Sequence, residues 1–323
     1  MADIPDLSAA PVRIEAPARL HFGFLDLHGG LGRRFGSVGL AIDTPSLILT
    51  ARPAATLTAE GPEAGRVQRY AEAAAAHLGI GTGVAIRVEQ AIPAHAGFGS
   101  GTQLALAVAA ALARLAGLPF SPEAFSNALD RGNRSGVGLR AFTEGGLIVD
   151  GGRGADSSPP PVVARLPFPE AWRIVLILDT AMEGVHGTRE VEAFRELPRF
   201  PEAQAAEICR IVLMQVLPAC VTGDIAAFGA GITRMQGLVG DHFAPHQGGR
   251  YASPAVAQAL TRAAGMGVAG YGQSSWGPTG FLLAASEDEA RTLIESLDEG
   301  GTLRFLIARG RNTGAAVAGG TRA

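Results

Sequence analysis

The segment from Val84 to Pro119 restricts this chain most. Val84, Ile86 and Val88 alternate with Ala85, Arg87 and Glu89, the period of a half-buried strand. Gly97, Gly99 and Gly101 follow within Pro93 to Thr102, and an alanine- and leucine-rich helix is expected from about Gln103 to Ala116, closed by Gly117 and Pro119. Glycines there let the backbone approach a ligand with no Cβ in the way, and the helix points its free N–H groups and positive dipole end at that ligand. Ser100 and Thr102 can add hydroxyl donors or cap the helix. The loop therefore suits an anion such as phosphate or diphosphate. The same spacing also suits a tight strand-to-helix turn whose glycines serve packing alone.

Composition removes several chemistries. Among 323 residues, 27 are basic and 30 acidic, a formal charge of −3, and every basic residue is arginine. Without lysine there is no Schiff-base or pyridoxal-phosphate enzyme, no Walker A loop ending in G-K-[ST], and no strand lysine of a protein kinase. With 44 glycines and 20 prolines, codon bias in a GC-rich genome accounts for the missing lysine, and the exclusion stands whatever the cause. Hydrophobic residues make up 47% and charged ones 18%, so the chain can bury a large core, and its length suggests roughly two domains. The near-neutral balance, without a block of five like charges, argues against a nucleic-acid partner. Met1 to Glu15 lacks the order of a signal peptide, and the apolar run Leu104 to Ala113 is half of the roughly 20 residues a membrane span needs. A soluble cytoplasmic protein with no membrane partner is expected. Cys209 and Cys220 alone form no disulfide framework.

Gly151 to Pro161, with Gly-Gly-Arg-Gly before Ser157-Ser158 and three prolines, can hold neither a helix nor a central strand. It is taken as the boundary between domains 1–160 and 161–323. Beyond it, Ile174 to Leu178 reads as a buried strand ended by Asp179, and helices are expected around Glu202 to Leu217, Asp224 to Val239 and Pro254 to Ala264, the last capped by Ser253. Phe281 to Ala285 and Leu303 to Ala308 read as strands around a helix from Ser286 to Leu297, opened by the capping box Ser286-x-x-Glu289. The fold class is α+β, two domains, and not a doubly wound sheet.

The pattern P-x-x-x-G-x-G-S-[SG] at Pro93 to Gly101 resembles the phosphate loop of the GHMP kinase superfamily, which includes galactokinase, homoserine kinase and mevalonate kinase. Three further regions resemble one branch of it, the β-ribofuranosylaminobenzene 5′-phosphate synthases. They are Ala18 to Leu27 with Gly36 to Ile42; Arg134 to Gly138 continuing through Ala141 to Asp150; and Gln247-Gly248-Gly249-Arg250-Tyr251-Ala252-Ser253-Pro254 followed by Gly272 to Thr279. Kinases of the superfamily with a catalytic aspartate present it in a segment like S-G-[VI]-D, where this chain has Ser135-Gly136-Val137-Gly138. A glycine cannot take or orient a substrate hydroxyl proton, so Gly138→Asp is expected to leave a synthase unaffected.

The resemblance implies a GHMP-kinase-like two-domain fold, with an N-terminal ribosomal-protein-S5-like domain and a C-terminal ferredoxin-like domain, in a homodimer. It implies that 5-phosphoribosyl 1-diphosphate reacts with 4-aminobenzoate, or a 4-hydroxy analogue in some members, releasing carbon dioxide and diphosphate in tetrahydromethanopterin biosynthesis, with Mg²⁺ on the diphosphate. No residue in the sequence separates the two acceptors. An ATP-dependent small-molecule kinase of the same fold and a non-catalytic phosphosugar-binding protein are the alternatives.

Candidate catalytic residues are Arg19, a fork for phosphate or carboxylate; His21, on the same strand face, an anion donor or acid–base group; and Asp26, for Mg²⁺ or for facing an oxocarbenium ion. A core histidine and a turn aspartate are the plain readings of the latter two. Gly97, Gly99, Ser100, Gly101, Thr102 and Gln103 are assigned to phosphate, and Gln273, Ser274, Ser275 and Trp276 to substrate, with Trp276 suited equally to stacking on a ring and to anchoring its loop in the core. Glu144, Asp150 and Asp179 read as turn or cap residues. His242, Pro245, His246 and Gln247 are too irregular for a zinc site, so no structural metal is expected.

Overall fold

The computed structural model describes residues 10–81, 83–129, 135–155, 159–182, 184, 196–268 and 270–320. Two long strands, β1 (Val12–Asp26) and β2 (Phe35–Pro53), form its backbone, paired antiparallel from Val12↔Ala51 to Asp26↔Phe35. The first half of β1 buries Val12, Ile14 and Ala16 and turns Arg13 outward. From Ala16 onward nearly every side chain is buried, because this half is covered on both faces.

The first sheet orders β11 (Ala316–Gly319), β1, β2, β4 (Val84–Gln90) and β3 (Thr58–Glu60), with β5 (Leu147–Asp150) on β2 and β6 (Val162–Leu166) on β5. Its helices are α1 (Ala64–Leu78), α2 (Ser100–Leu115), α3 (Pro122–Ala128) and α4 (Val137–Thr143). Helix α2 buries every residue from Gln103 to Leu115 except Arg114, which is why its sequence is apolar all round. It begins at Ser100 rather than Gln103, since Gly99 at φ 74° makes the turn into it.

The second sheet is antiparallel, in the order β10 (Leu303–Ala308), β7 (Arg173–Asp179), β9 (Gly280–Ala284), β8 (Tyr271–Gln273). A continuous helix α5 (Glu202–Thr222), with a π turn at Val212–Val216, precedes α6 (Ile225–Gln247), α7 (Pro254–Gly265) and α8 (Glu287–Leu297). Asp224, Ser253 and Ser286 accept the capping bonds their positions predict, from Ala227, Val256 and Glu289 N–H groups. Helix α6 runs eight residues past the expected Val239, with Pro245 in its last turn, where little hydrogen bonding remains to be lost. Helix α5 is long and apolar enough by length and composition to cross a membrane, beyond what the run Leu104 to Ala113 suggested, and a third of its apolar window is buried against the protein.

Gly151 to Pro161 does not separate two units. It joins β5 to β6, antiparallel neighbours from Leu147↔Leu166 in one sheet, with residues 156–158 outside the described set. Glycine and proline end a hairpin as readily as a domain. The chain passes to the second sheet between β6 and β7, and β11 returns to pair with β1. The two layers share one core, in which Phe22 of β1 lies 5.1 Å from Phe281 of β9 and Phe228 of α6 lies 5.3 Å from Trp172.

Candidate active site

The anion loop is held by groups distant in sequence. The Arg19 N–H donates to Phe98 O at 3.1 Å, and Arg19 Nη1 donates to Gly97 O at 2.5 Å. Its side chain lies over Gly99, where a Cβ would sit 3.0 Å from Nε. Gly97 and Gly99 have φ of +85° and +74°, a region that glycine enters freely. Thr102 and Gln103 N–H groups close on Gly99 O at 3.1 and 3.2 Å, and the earlier N–H groups of Ser100 and Gly101 have no carbonyl within the helix to bond. Ser100, Gly101 and Thr102 are half-buried at this end of α2. Gln103 is fully buried; its Nε2 donates to Gly138 O at 2.8 Å and its Oε1 has no partner among the described residues.

The second wall is the loop after β8. Ser274 Oγ donates to Gly97 O at 2.7 Å and accepts the His21 N–H at 3.1 Å, while the Ser275 N–H donates to His21 O at 3.1 Å. A Cβ on Gly97 would run into Ser274 O, and one on Gly277 into the Ala96–Gly97 peptide. Arg19, Gly97 and Ser274 thus form one clamp joining β1, the anion loop and the loop before β9.

His21 is 3% exposed, with its ring 4.7 Å from that of Phe24. Burial, aided by the charge of Arg19, pushes its pKa down to about 3, so the imidazole is neutral at pH 7 and cannot serve there as a charged acid. Gln273 is held on all sides: Oε1 accepts the Ala252 N–H at 2.6 Å, and Nε2 donates to Ser275 O at 3.0 Å and Gln247 Oε1 at 3.3 Å. Its amide orders loops and is not free for substrate. Behind it, Gln236 Nε2 donates to Phe22 O and to Gln273 O, while Oε1 accepts the Gln273 N–H at 2.9 Å. Trp276 packs edge-on against Phe243 at 4.6 Å.

These groups enclose a cleft lined by His21, Phe24, Val239, Phe243, Arg250 and Trp276, with Gln236, Gln247, Gln273 and Ser275 among its other walls. Its free space is about 30 Å³, room for a water, so a larger ligand has to part the walls. Phe24 and Arg250 lie in segments that carry the resemblance but have no role assigned from sequence, and Gln236 and Phe243 lie outside those segments. Gln236, a lone amide in the apolar run of α6, was the available signal.

Asp26 ends β1, seven residues past Arg19 and about 20 Å along an extended strand. Its Oδ1 accepts the His28 and Gly29 N–H groups at 2.7 and 2.8 Å, as in an Asx turn. Among the described residues no carboxylate lines the cleft, and no three His, Cys, Asp or Glu side chains gather as a metal site. The described residues of the cleft therefore offer Mg²⁺ no carboxylate cage. Asp150, fully buried, accepts Gly136 and Gly152 N–H groups, each at 2.9 Å, and burial raises its pKa. Asp179 accepts Ser253 Oγ at 2.6 Å and the Ala181 N–H at 3.0 Å, and Glu144 pairs with Arg140 at 3.0 Å. All three serve local structure. Arg134 lies outside the described residues.

Family models described as the GHMP kinases N terminal domain and the GHMP kinases C terminal match residues 66–146 and 216–302. The β-ribofuranosylphenol 5′-phosphate synthase of Methanothermobacter thermautotrophicus is 31% identical, over 94% of this chain and 97% of that protein. That of Archaeoglobus fulgidus is 33% identical over 95% and 99%. The chain belongs to the β-ribofuranosylphenol 5′-phosphate synthase family. Both relatives are named for a phenol, where the motifs resembled the aminobenzene counterpart. The fold is that of the GHMP kinases: homoserine kinase from Cytophaga hutchinsonii superposes with a TM-score of 0.64 at 17% identity over 95% of this chain and 97% of that one. Mevalonate diphosphate decarboxylase from Staphylococcus aureus gives 0.67 at 14% over 95% and 98%. In this synthase-family chain, Gly138 is buried on α4, and a Cβ there would meet Thr102 Cγ2 at 3.3 Å.

Proposed function

We propose that this protein transfers the phosphoribosyl group of 5-phosphoribosyl 1-diphosphate to 4-aminobenzoate or its 4-hydroxy analogue, releasing carbon dioxide and diphosphate, for tetrahydromethanopterin biosynthesis in the cytoplasm. The observation that carries this reading is the clamp on Gly97 O, which fixes the N-terminus of α2 beside an aromatic-walled cleft. The loop and helix end hold phosphate groups, with Arg19 adding charge at the loop. The ring lies between Phe243, Trp276 and Phe24.

The ring carbon bearing the carboxylate attacks the sugar C1, and the C1–O bond breaks with its electron pair leaving on diphosphate. The para substituent donates electrons to the ring. The bond to the carboxylate then breaks, its pair restores aromaticity, and carbon dioxide departs. No proton has to be added or removed, which suits a cleft whose histidine is neutral. Mg²⁺ is proposed as the counter-ion carried by the diphosphate donor, since no carboxylate of the described residues lines the cleft.

Carbon dioxide and diphosphate should form in equal amounts when the protein is mixed with donor, acid and Mg²⁺; diphosphate without carbon dioxide would refute the decarboxylating step. Relative kcat/KM on the two acids assigns the natural acceptor. A homodimer is part of the proposal, supported by the exposed apolar side chains Leu213, Met214 and Val221 along α5. Sedimentation of a Met214→Arg variant as a monomer would locate the interface there.

A further inference from the structure

Gln247 to Pro254 is among the segments that set this branch apart, and one of its residues reaches the cleft. Arg250 is the one arginine among the described residues lining it. Nε and Nη2 donate to Asp241 Oδ1 and Oδ2 at 2.7 and 2.8 Å, a bidentate pair that fixes the plane of the guanidinium. Nη1 is outside that pair and lies across Gly237 of α6, 3.9 Å from where a Cβ would be. At Gly240, one turn on, a Cβ would sit 2.8 Å from Arg250 Cγ. A glycine inside a helix costs about 1 kcal/mol relative to alanine, and these two open a trough in which the arginine lies.

The remaining surroundings decide what the open edge can bind. Phe24, Val239, Phe243 and Trp276 are apolar or aromatic, and His21 is uncharged. A single guanidinium N–H edge at one end of flat apolar walls matches an aromatic monocarboxylate, whose oxygens need a donor once the ring leaves water. Phosphate groups have their own donors at the anion loop. Half of the Arg250 side chain is exposed, so an incoming acid can meet it before the walls part.

We propose that Arg250 Nη1 binds the carboxylate of the aromatic acceptor, with Asp241 as the positioning residue that aims it. The inference rests on the decarboxylating phosphoribosyl transfer proposed above and adds which group holds the acid. Pairing with Asp241 also means that departure of carbon dioxide leaves a neutralised arginine and not a bare cation.

The test compares wild type with Arg250→Gln and Arg250→Lys, using 4-aminobenzoate, 4-hydroxybenzoate and the neutral probe 4-aminobenzamide. In Arg250→Gln the KM for either acid should rise at least tenfold, with the KM for phosphoribosyl diphosphate within twofold of wild type. Arg250→Lys should recover part of the loss, and the inhibition constant of the amide should be the same in wild type and Arg250→Gln. An unchanged acid KM, equal losses for acid and amide, or a rise confined to the phosphoribosyl diphosphate KM would each overturn the assignment while wild type still turns over. Wild type that releases no carbon dioxide from either acid overturns the proposed reaction, and this inference with it.

Discussion

The Gly97 carbonyl accepts both Arg19 Nη1 and Ser274 Oγ, and Ser274 Oγ also accepts the His21 N–H, so one hydroxyl serves two backbone groups. Ser274→Ala should lower stability by about 1–3 kcal/mol, because the buried His21 N–H then has no acceptor; the midpoint of urea unfolding reads it. Arg19→Gln removes the charge over Gly99 and should raise the KM for phosphoribosyl diphosphate at least tenfold, while the KM for the aromatic acid changes little in steady-state assays. His21 supplies a pH dependence whose sign is fixed. Its folded pKa is about 3 and the unfolded value is 6.5, so between these the unfolded chain takes a proton that the folded one refuses. Above pH 6.5 the ring is neutral in both states and contributes nothing. As pH falls from about 6.5 toward 3, stability should decline by about 1.4 kcal/mol per pH unit. His21→Gln should flatten that slope, and a variant as acid-sensitive as wild type would show that the proton goes elsewhere.

Helix α4 packs its first turn against that of α2, with Gly138 facing Thr102 and its carbonyl on Gln103 Nε2. An aspartate at 138 therefore brings a carboxylate into a buried, tight contact with Thr102, whose Cγ2 and Oγ1 lie 3.3 and 3.7 Å from the new Cβ, and the expectation of neutrality from sequence gives way. Gly138→Asp should destabilise by about 2–4 kcal/mol in urea unfolding and should not create ATP-dependent phosphorylation, since a carboxylate alone does not restore a kinase site. Elements of this kind were legible where their signal is local. Alternation at Val84, Ile86 and Val88 marks β4, and Ser253 and Ser286 mark the starts of α7 and α8. The loop from Pro93 with its glycines was readable for the same reason, since positive φ leaves a trace in residue type. Local composition misled at Gly151 to Pro161, because a hairpin and a linker use the same residues. The clamp on Gly97 was beyond the sequence: its Ser274 donor is 177 residues away, and nothing in either segment's pattern specifies the pairing. For the same reason Gln273 looks from sequence like a substrate ligand, while in the fold its amide is spent on Ala252, Gln247 and Ser275.

The two sheets meet across α6, and at the level of the whole molecule Gln236 is the polar joint between them. Its Nε2 reaches Phe22 O on β1 and Gln273 O on β8, and its Oε1 takes the Gln273 N–H, so one side chain ties both walls of the cleft. The Phe22, Phe228 and Phe281 rings beside it supply apolar adhesion but do not fix how far one sheet slides on the other. Gln236→Leu keeps the volume and strands buried backbone groups, at roughly 1–3 kcal/mol for each one left unmade. The more informative change is Gln236→Glu, which has the same shape. A neutral carboxyl has one O–H to donate and one oxygen to accept, so it can rebuild the bond from the Gln273 N–H and one bond to a carbonyl. An ionised one faces the Phe22 and Gln273 carbonyls as like partial charges in a site 7% exposed. Burial raises the folded pKa of such a glutamate above its unfolded value of about 4.3, so the stability it confers is present at low pH and lost as pH rises through the folded pKa. Relative to wild type at each pH, Gln236→Glu should therefore be least stable above neutrality and recover on acidification, opposite in sign to the His21 effect. A deficit independent of pH would show that the amide fills space between the sheets without tying them.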